Sequence, residues 1–417
     1  MDRTALSSLL AEWGEPAYRA TQATQAQLAR AGSWDEVATF PRALRARLEE
    51  ALPFWALTPD ARAVSQDGTV KWRLRAADGI AVETVLIAHG GGRRTVCVSS
   101  QAGCALGCKF CATGAMGPGR NLTAAEIFDQ AVLAAREAAG QDARLANVVF
   151  MGMGEPMQNL DAVLPACAMM NAPDGLGLSA RRIAISTVGW VPGIATLAAH
   201  PLPVRLAISL HAADDATRSA LMPINQRYPI ANLLAECRRY CDTTGRRVFI
   251  EYLLLDGVND GAADAGRLAR LLRDGRFHVN VIEYNPTSGP YQASSQSRRE
   301  VFLRALADAG LEASVRRSRG ADVTLKGAAS IVDAPAGSPA DPLAGDDESD
   351  VIGVNVTLVA EGGSIGSVSN FIDVDTSNAD GVTQTGLLGA GATGHIFIRE
   401  VDGDTGAPDD LRIGTVF

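Results

Sequence analysis

Hydrophobic and polar positions change period along this chain, and each change marks a different architecture. In residues 1–75, rich in Ala, Leu, Arg and Glu, apolar positions recur at helical spacing over 18–31 and 41–52, with Thr39 and Pro41 as a helix start. Around 69–76 and 81–87 the pattern becomes alternation (Val70, Trp72, Leu74, then Val82, Thr84, Leu86), which predicts a hairpin turned at Asp78-Gly79. From Thr95 onward, short continuous apolar runs at 96–99, 147–151, 182–187, 205–210, 248–254 and 279–284 alternate with helical segments at 123–139, 160–170, 191–199, 230–243, 262–273 and 297–309. Such βα alternation predicts an α/β fold with a parallel sheet covered by helices. Six units are too few to close an eight-unit barrel, so a partial (β/α)6 barrel is expected, with its chemistry at the C-terminal ends of the strands.

After Leu325 the texture changes abruptly. The expected organisation is a helical accessory domain at 1–75, the barrel at 76–325, a Pro/Gly/Asp-rich linker at 326–350 and a β-rich module at 351–417. Charge follows the same division. The net charge of −9 argues on its own against a nucleic-acid binder, but residues 328–417 carry 15 acidic and two basic side chains, or −13. That leaves residues 1–327 with 36 basic and 32 acidic side chains, or +4. Arginine pairs such as Arg93-Arg94, Arg181-Arg182 and Arg246-Arg247 suit phosphate, although scattered pairs are more often solvated surface.

At 417 residues the chain is long enough for two or three domains. The N-terminus MDRTALSSLL lacks an export signal's basic stretch and apolar core, and the longest uncharged stretch, 183–204, is broken by prolines and glycines. A cytoplasmic protein with no membrane span is expected. Cys97, Cys104, Cys108, Cys111, Cys167, Cys237 and Cys241 make an odd number, four of them within fifteen residues, which suggests thiols that bind something rather than a disulfide scaffold.

The strongest chemical signal is Cys104-Ala-Leu-Gly-Cys108-Lys-Phe-Cys111, just after an expected strand. Three thiolates at this spacing can hold three irons of a [4Fe–4S] cluster. The fourth iron, left open, can bind the amino and carboxylate groups of S-adenosylmethionine, whose sulfonium bond a reduced cluster can split. A structural zinc site with Cys97 as fourth ligand is the plainer alternative. Met151-Gly-Met-Gly154-Glu155-Pro156, at the end of the next strand, offers close backbone approach and a carboxylate for an ammonium or ribose. Ser186, Ser209-Leu210-His211 and Asn285 end later strands, where polar residues suit a ligand lying across a barrel mouth.

The segments CVSSQAGCALGCKFCATG, VVFMGMGEPMQN, ISTVGWVPGI, RLAISLHAADD, LMPINQRYPI, FIEYLLLDGVND and IEYNP, in this order, resemble the RlmN/Cfr branch of radical S-adenosylmethionine enzymes over about residues 1–323. The resemblance implies methylation of adenine C2 in 23S rRNA and tRNA, with 23S rRNA and tRNA as substrates, a [4Fe–4S] cluster and S-adenosylmethionine as cofactors, and a reductant such as flavodoxin or ferredoxin. A monomer is expected. Matched motif to motif, Cys104, Cys108 and Cys111 would hold the cluster. Gly154, Glu155, Ser186, Ser209, Leu210, His211 and Asn285 would contact the cofactor. Glu83 would be the proton acceptor, a role burial in an apolar strand would favour, and Cys97 would resolve a protein–RNA crosslink by forming a disulfide. The plainer readings are a solvent-facing strand Glu and a buried strand Cys.

One departure stands out. Adenine C2 is not nucleophilic, and family members carry the methyl group on a cysteine that follows an R-G-x-D pattern and four further residues. Arg319-Gly320-Ala321-Asp322 is present, but the position that follows is Gly327, and no cysteine occurs after Cys241. The sequence therefore leaves open an enzyme that cleaves S-adenosylmethionine without methyl transfer, a substitute thiol at Cys237 or Cys241, a non-native terminus, or a metal-containing RNA-binding scaffold.

Overall fold

The computed structural model describes residues 1–65, 67–285, 287, 289–311 and 313–316 with their side chains, and backbone strands at 323–327, 351–352, 355–360, 372–375, 387–392, 398–400 and 413–416. The Arg319-Gly320-Ala321-Asp322 motif and most of the expected 326–350 linker lie outside the described residues. The chain divides into two compact units, one of Met1–Asp60 with Trp72–Arg317, the other of Ala61–Lys71 with Ser318–Phe417.

The first unit opens with helices α1 (Arg3–Glu12), α2 (Tyr18–Leu28) and α3 (Arg42–Ala51). The Asp2 carboxylate starts α1 by accepting from the N–H groups of Thr4 and Ala5, 2.9 and 3.0 Å away. Leu6, Leu10, Trp34, Phe40, Leu44, Leu48 and Phe54 form a core of their own. Strand begins at β1 (Leu57–Val64), so the last part of the 1–75 segment is sheet and not helix. The expected hairpin is β2 (Val70–Ala76) with β3 (Ala81–His89), turned where Gly79 adopts a φ of 85° and Ile80 N–H donates to Asp78 Oδ1.

β4 (Arg93–Cys97) pairs antiparallel with β3, Val85 opposite Cys97. Thereafter β5 (Arg144–Phe150), β6 (Ile183–Thr187), β7 (Arg205–Ser209), β8 (Val248–Leu254), β9 (Phe277–Glu283) and β10 (Ala313–Arg316) add in chain order, each parallel to the last. Between them run α4 (Ala112–Met116), α5 (Ala124–Gly140), α6 (Leu160–Asn171), α7 (Val191–Ala199), α8 (Asp215–Leu221), α9 (Ile230–Thr244), α10 (Ala262–Leu272) and α11 (Gln296–Asp308). An order that never reverses has no switch point and winds one way, which is the sense of a barrel rather than of a doubly wound sheet. The parallel run from β4 to β9 is the partial (β/α)6 barrel, and β10 extends it by one strand.

The two faces of β8 carry different chemistry. Ile250 and Tyr252 are fully buried, and Tyr252 stacks on Phe302 of α11 with 5.2 Å between centroids. Side chains alternate along a strand, so Glu251 and Leu253 point to the opposite face, away from the helices. Leu253 there joins Cys108, Leu221, Met222, Ile224, Leu255 and Tyr284 in one apolar cluster.

In the second unit, described through its backbone, β11 (Val323–Gly327), β13 (Asn355–Ala360), β15 (Leu387–Ala392) and β17 (Ile413–Val416) form one parallel set. β12 (Val351–Ile352), β14 (Ile372–Asp375) and β16 (Ile398–Glu400) form a second, so successive strands alternate between the two sets. The tip of the β1/β2 hairpin groups with this unit, Ala63 lying opposite Leu325. Among the described residues no helix is long and apolar enough to cross a membrane.

Candidate active site

The cysteine loop leaves β4 through Val98–Gly103 and folds back on its own backbone. Gly103 sits at a φ of 128°, where a Cβ would come within 2.8 Å of Gly117 O. A Cβ on Gly119 would fall 1.6 Å from Ala102 O, so only glycine lets the two passes of chain touch. Cys104 N–H donates to Gly117 O (2.7 Å), Cys111 N–H to Cys108 O (3.2 Å), and Lys109 N–H to Leu221 O (2.9 Å). The loop ends in a capping box, Thr123 and Glu126 each accepting from the other's backbone N–H at the start of α5.

Cys104 and Cys108 both feel charge on Cys111. Burial pushes the Cys108 thiol up to about 12, and charge on Cys111, Cys104 and Glu155 pushes the same way. Cys104 is also raised, first by burial, with Glu155 and Cys111 adding. Among the described residues no group of three His, Cys, Asp or Glu side chains closes on a single metal ion. In an iron–sulfur cluster each thiolate takes a different iron, so three ligands need not converge on one point. Three thiols on one short loop, two of them raised by burial, fit such a polynuclear centre, whose positive irons would favour the thiolates that burial disfavours. Cys97 has a different setting. Its thiol, in β4, is pushed up to about 12 by burial, with Glu83 as the charge it feels.

Glu155 sits 2% exposed at the end of β5. Its Oε1 accepts from Met157 N–H and its Oε2 from Val188 N–H, both at 2.9 Å, while its own N–H donates to Gln101 Oε1 at 2.7 Å. Burial still pushes this carboxyl up to about 7 against those bonds. Gly154 has a φ of 94°, and a Cβ there would lie 2.5 Å from Gln101 Cβ. Ser186 and Ser209, on neighbouring strands β6 and β7, bring their hydroxyls to 3.5 Å. Leu210 and His211 donate their N–H groups to Glu251 O on β8 (3.0 and 3.4 Å). His211 has a φ of 55°, and its Nδ1 accepts from Leu253 N–H at 3.0 Å. Asn285 is exposed just beyond β9, next to Tyr284 of the Cys108 cluster.

The β3 edge also reaches this region. Ser99 Oγ donates to Glu83 O (2.6 Å) and accepts from Met153 N–H (3.0 Å), coupling β3 to the Gly154-Glu155 turn. Glu83 itself lies on the exposed side of β3, between buried Val82 and Thr84, and not within its apolar face.

Several residues that hold the site together gave no sequence signal. Asn159 Nδ2 donates to Ser100 O and Leu122 O, both at 2.8 Å, and Gln101 Nε2 donates to Asn121 Oδ1 at 2.7 Å. Arg218 of α8, fully buried, donates to the backbone at the ends of β6 and β7. The sequence shows it as one arginine among 35; only the packing reveals it.

A one-way partial barrel with a three-cysteine loop after its first strand and a glycine–glutamate turn after its second is the arrangement of a radical S-adenosylmethionine enzyme, and residues 98–271 match the Radical SAM superfamily. A radical SAM methyltransferase of Sphaerobacter thermophilus superposes with a TM-score of 0.74 at 47% identity, covering 77% of this chain and 94% of its own. The probable dual-specificity RNA methyltransferase RlmN of Frankia alni is 48% identical over 322 residues, 74% of this chain and 77% of the relative. The dual-specificity RNA methyltransferase RlmN of an Anaeromyxobacter species is 46% identical over 81% of this chain and 90% of the relative. The chain belongs to the RlmN family of radical SAM methyltransferases. It is an enzyme, and its cofactors are a [4Fe–4S] cluster and S-adenosylmethionine.

Proposed function

We propose that this enzyme methylates C2 of adenine in 23S rRNA and tRNA, with Cys104, Cys108 and Cys111 as cluster ligands and the strand-end residues as the cofactor seat. The observation that carries the reading is the C-x3-C-x2-C loop after β4, whose Cys104 and Cys108 feel the charge of Glu155 and Cys111, in a chain 46–48% identical to curated RlmN proteins. When bound, the cluster and S-adenosylmethionine supply a methyl group and a carbon-centred radical. The chain's own part is to seat and shield them. Glu155, already oriented by two backbone N–H groups, presents a carboxylate to the cofactor's ammonium. The hydroxyls of Ser186 and Ser209 offer paired polar contacts across the mouth. Phe110, packed in the Cys108 cluster, keeps water from the cysteine loop. Glu83, exposed on β3 and tied through its carbonyl to Ser99, would accept a proton, and Cys97, which feels its charge, would resolve the crosslink. A small reducing protein of the flavodoxin or ferredoxin type would deliver the electron, to a monomer in the cytoplasm.

A second reading is favoured by one observation. Position 327 is glycine and no cysteine follows Cys241, so the chain has no thiol where the family carries the methyl group. On that reading the enzyme cleaves S-adenosylmethionine without methylating RNA. Anaerobically reconstituted protein, given reductant and RNA, separates the two. Release of 5′-deoxyadenosine with 2-methyladenosine in RNA supports the methyltransferase; 5′-deoxyadenosine alone supports cleavage without transfer. Gly327→Cys with a family-like terminus should then restore methylation, placing the defect in the tail.

A further inference from the structure

Arg218 is buried without measurable exposure, a setting that disfavours a cation unless it is compensated. Among the described residues it makes no ion pair. Its fork is instead filled by neutral acceptors: Nε donates to Leu210 O (3.1 Å), Nη1 to Asn225 Oδ1 (2.9 Å), and Nη2 to Val188 O (2.6 Å) and Ser209 O (3.2 Å). Asp215, whose charge Arg218 feels, is itself engaged by Asn225 Nδ2 and Ile230 N–H, both at 2.9 Å. Asn225 is held in turn by Ser219 Oγ at 2.8 Å, so the acceptor on Nη1 is fixed before the arginine meets it.

The carbonyls it binds are not arbitrary. Val188 follows β6, and its N–H holds Glu155 Oε2; Ser209 and Leu210 end β7 and begin the turn that carries His211. One turn along α8 from Arg218, Leu221 O receives Lys109 N–H from between Cys108 and Cys111, and Leu221 and Met222 pack against Cys108. A single buried guanidinium thus joins the ends of two strands to the helix on which the cysteine loop rests. Its charge stands close to that loop as well, because Arg218 and Leu221 lie three residues apart on one face of α8. Burial lowers the guanidinium's own value to about 10, which leaves it cationic at neutral pH.

We infer that Arg218 is a positioning residue that fixes the cofactor-facing ends of β6 and β7 against the cysteine loop and supplies a permanent positive charge to the anionic centre its thiolates hold. The inference rests on the assignment of Cys104, Cys108 and Cys111 as cluster ligands. Reduction adds one negative charge to such a centre, so a nearby cation favours the reduced form and raises the midpoint potential. The planar fork does the positioning, since lysine cannot make four divergent bonds.

The test uses the full chain, reconstituted anaerobically, as Arg218→Met and Arg218→Lys beside the wild type, with iron content, midpoint potential and S-adenosylmethionine affinity measured on each. Arg218→Met should shift the reduction equilibrium at least tenfold toward the oxidised cluster, about 59 mV for one electron, and weaken cofactor binding at least tenfold. Arg218→Lys should keep the wild-type potential yet bind the cofactor more weakly. Arg218→Met with full iron and unchanged potential and affinity overturns the inference. Should Arg218→Met fail to take up iron, Arg218→Lys decides: wild-type affinity overturns the positioning role, and weakened affinity at wild-type potential upholds it. Wild-type protein without iron would instead overturn the cluster assignment, and the inference with it.

Discussion

The imidazole of His211 meets the ring of Phe110 edge-on, with 4.9 Å between centroids and planes 89° apart. The histidine ends the β7 turn and the phenylalanine lies between two cysteines, so this contact joins the strand ends to the cysteine loop. His211 Nδ1 is an acceptor from Leu253 N–H, which leaves the ring proton on Nε2. Burial, helped by the Arg218 charge, lowers His211 to about 3, so the ring stays neutral at physiological pH. His211→Phe should keep the aromatic contact but orphan a buried N–H, at a cost of about 1–3 kcal/mol read from urea denaturation. Unchanged stability would contradict the bond's role. Neither limb of a pH–rate profile between 5 and 8 should move in this variant, since the group it removes does not titrate there.

Glu155 makes cofactor affinity depend on pH. Its carboxyl, raised from an ordinary 4.5 to about 7 by burial, is largely protonated in the free protein below that value. An ammonium prefers the carboxylate, so binding must expel the proton. Affinity for S-adenosylmethionine should therefore weaken as pH falls through 7, by up to about tenfold per unit, with proton release on binding. Calorimetry in buffers of different ionisation heat reads both quantities, and pH-independent affinity from 6 to 8 would contradict the role. In the free protein the sign for stability is the reverse: between 4.5 and 7 the folded state holds a proton the unfolded state has lost, so this group's contribution falls as pH rises.

Gly154→Ala should abolish cofactor binding without unfolding the N-terminal helices. Its φ of 94° disfavours any side chain, and the added Cβ would stand 2.7 Å from Gln101 N, a backbone atom that cannot swing aside. Amide hydrogen exchange over residues 3–51 reports the helical core, and equilibrium dialysis reports the cofactor. Binding at wild-type strength would contradict the close packing of this turn.

Cys97→Ser separates the cluster from a zinc site that borrows Cys97. Cys97 lies beside Glu83 and Met151, and its charge is not among those acting on Cys104 or Cys108. The variant should keep about four irons per chain, the complement of a [4Fe–4S] centre. Loss of metal with this one hydroxyl would favour the zinc arrangement.

Much of this fold was legible in the sequence because continuous apolar strands and amphipathic helices alternate without interruption. The run at 248–254 is β8 residue for residue, and 191–199 is α7. What escaped has physical reasons. β1 is exposed along most of its length and contains Pro59, so no alternation betrays it. α8 is seven residues long, started by an Asp214 cap, too short for a period to emerge. Arg218 resembles a surface arginine until the ends of β6 and β7 and the turn carrying Asn225 fold over it. Glu83 teaches the converse: the alternation of buried Val82, Thr84 and Leu86 that revealed β3 also places Glu83 on its open side. The cysteine loop was legible because ligand spacing is local, whereas the supports for it come from elsewhere in the chain.

The most direct measurement is electron paramagnetic resonance of the reduced, anaerobically reconstituted protein with and without S-adenosylmethionine. If one iron lacks a protein ligand, the signal should change on adding the cofactor, and it should vanish with the iron in Cys104→Ala, Cys108→Ala and Cys111→Ala. A signal indifferent to the cofactor, or one that survives loss of any of the three thiols, would contradict the account.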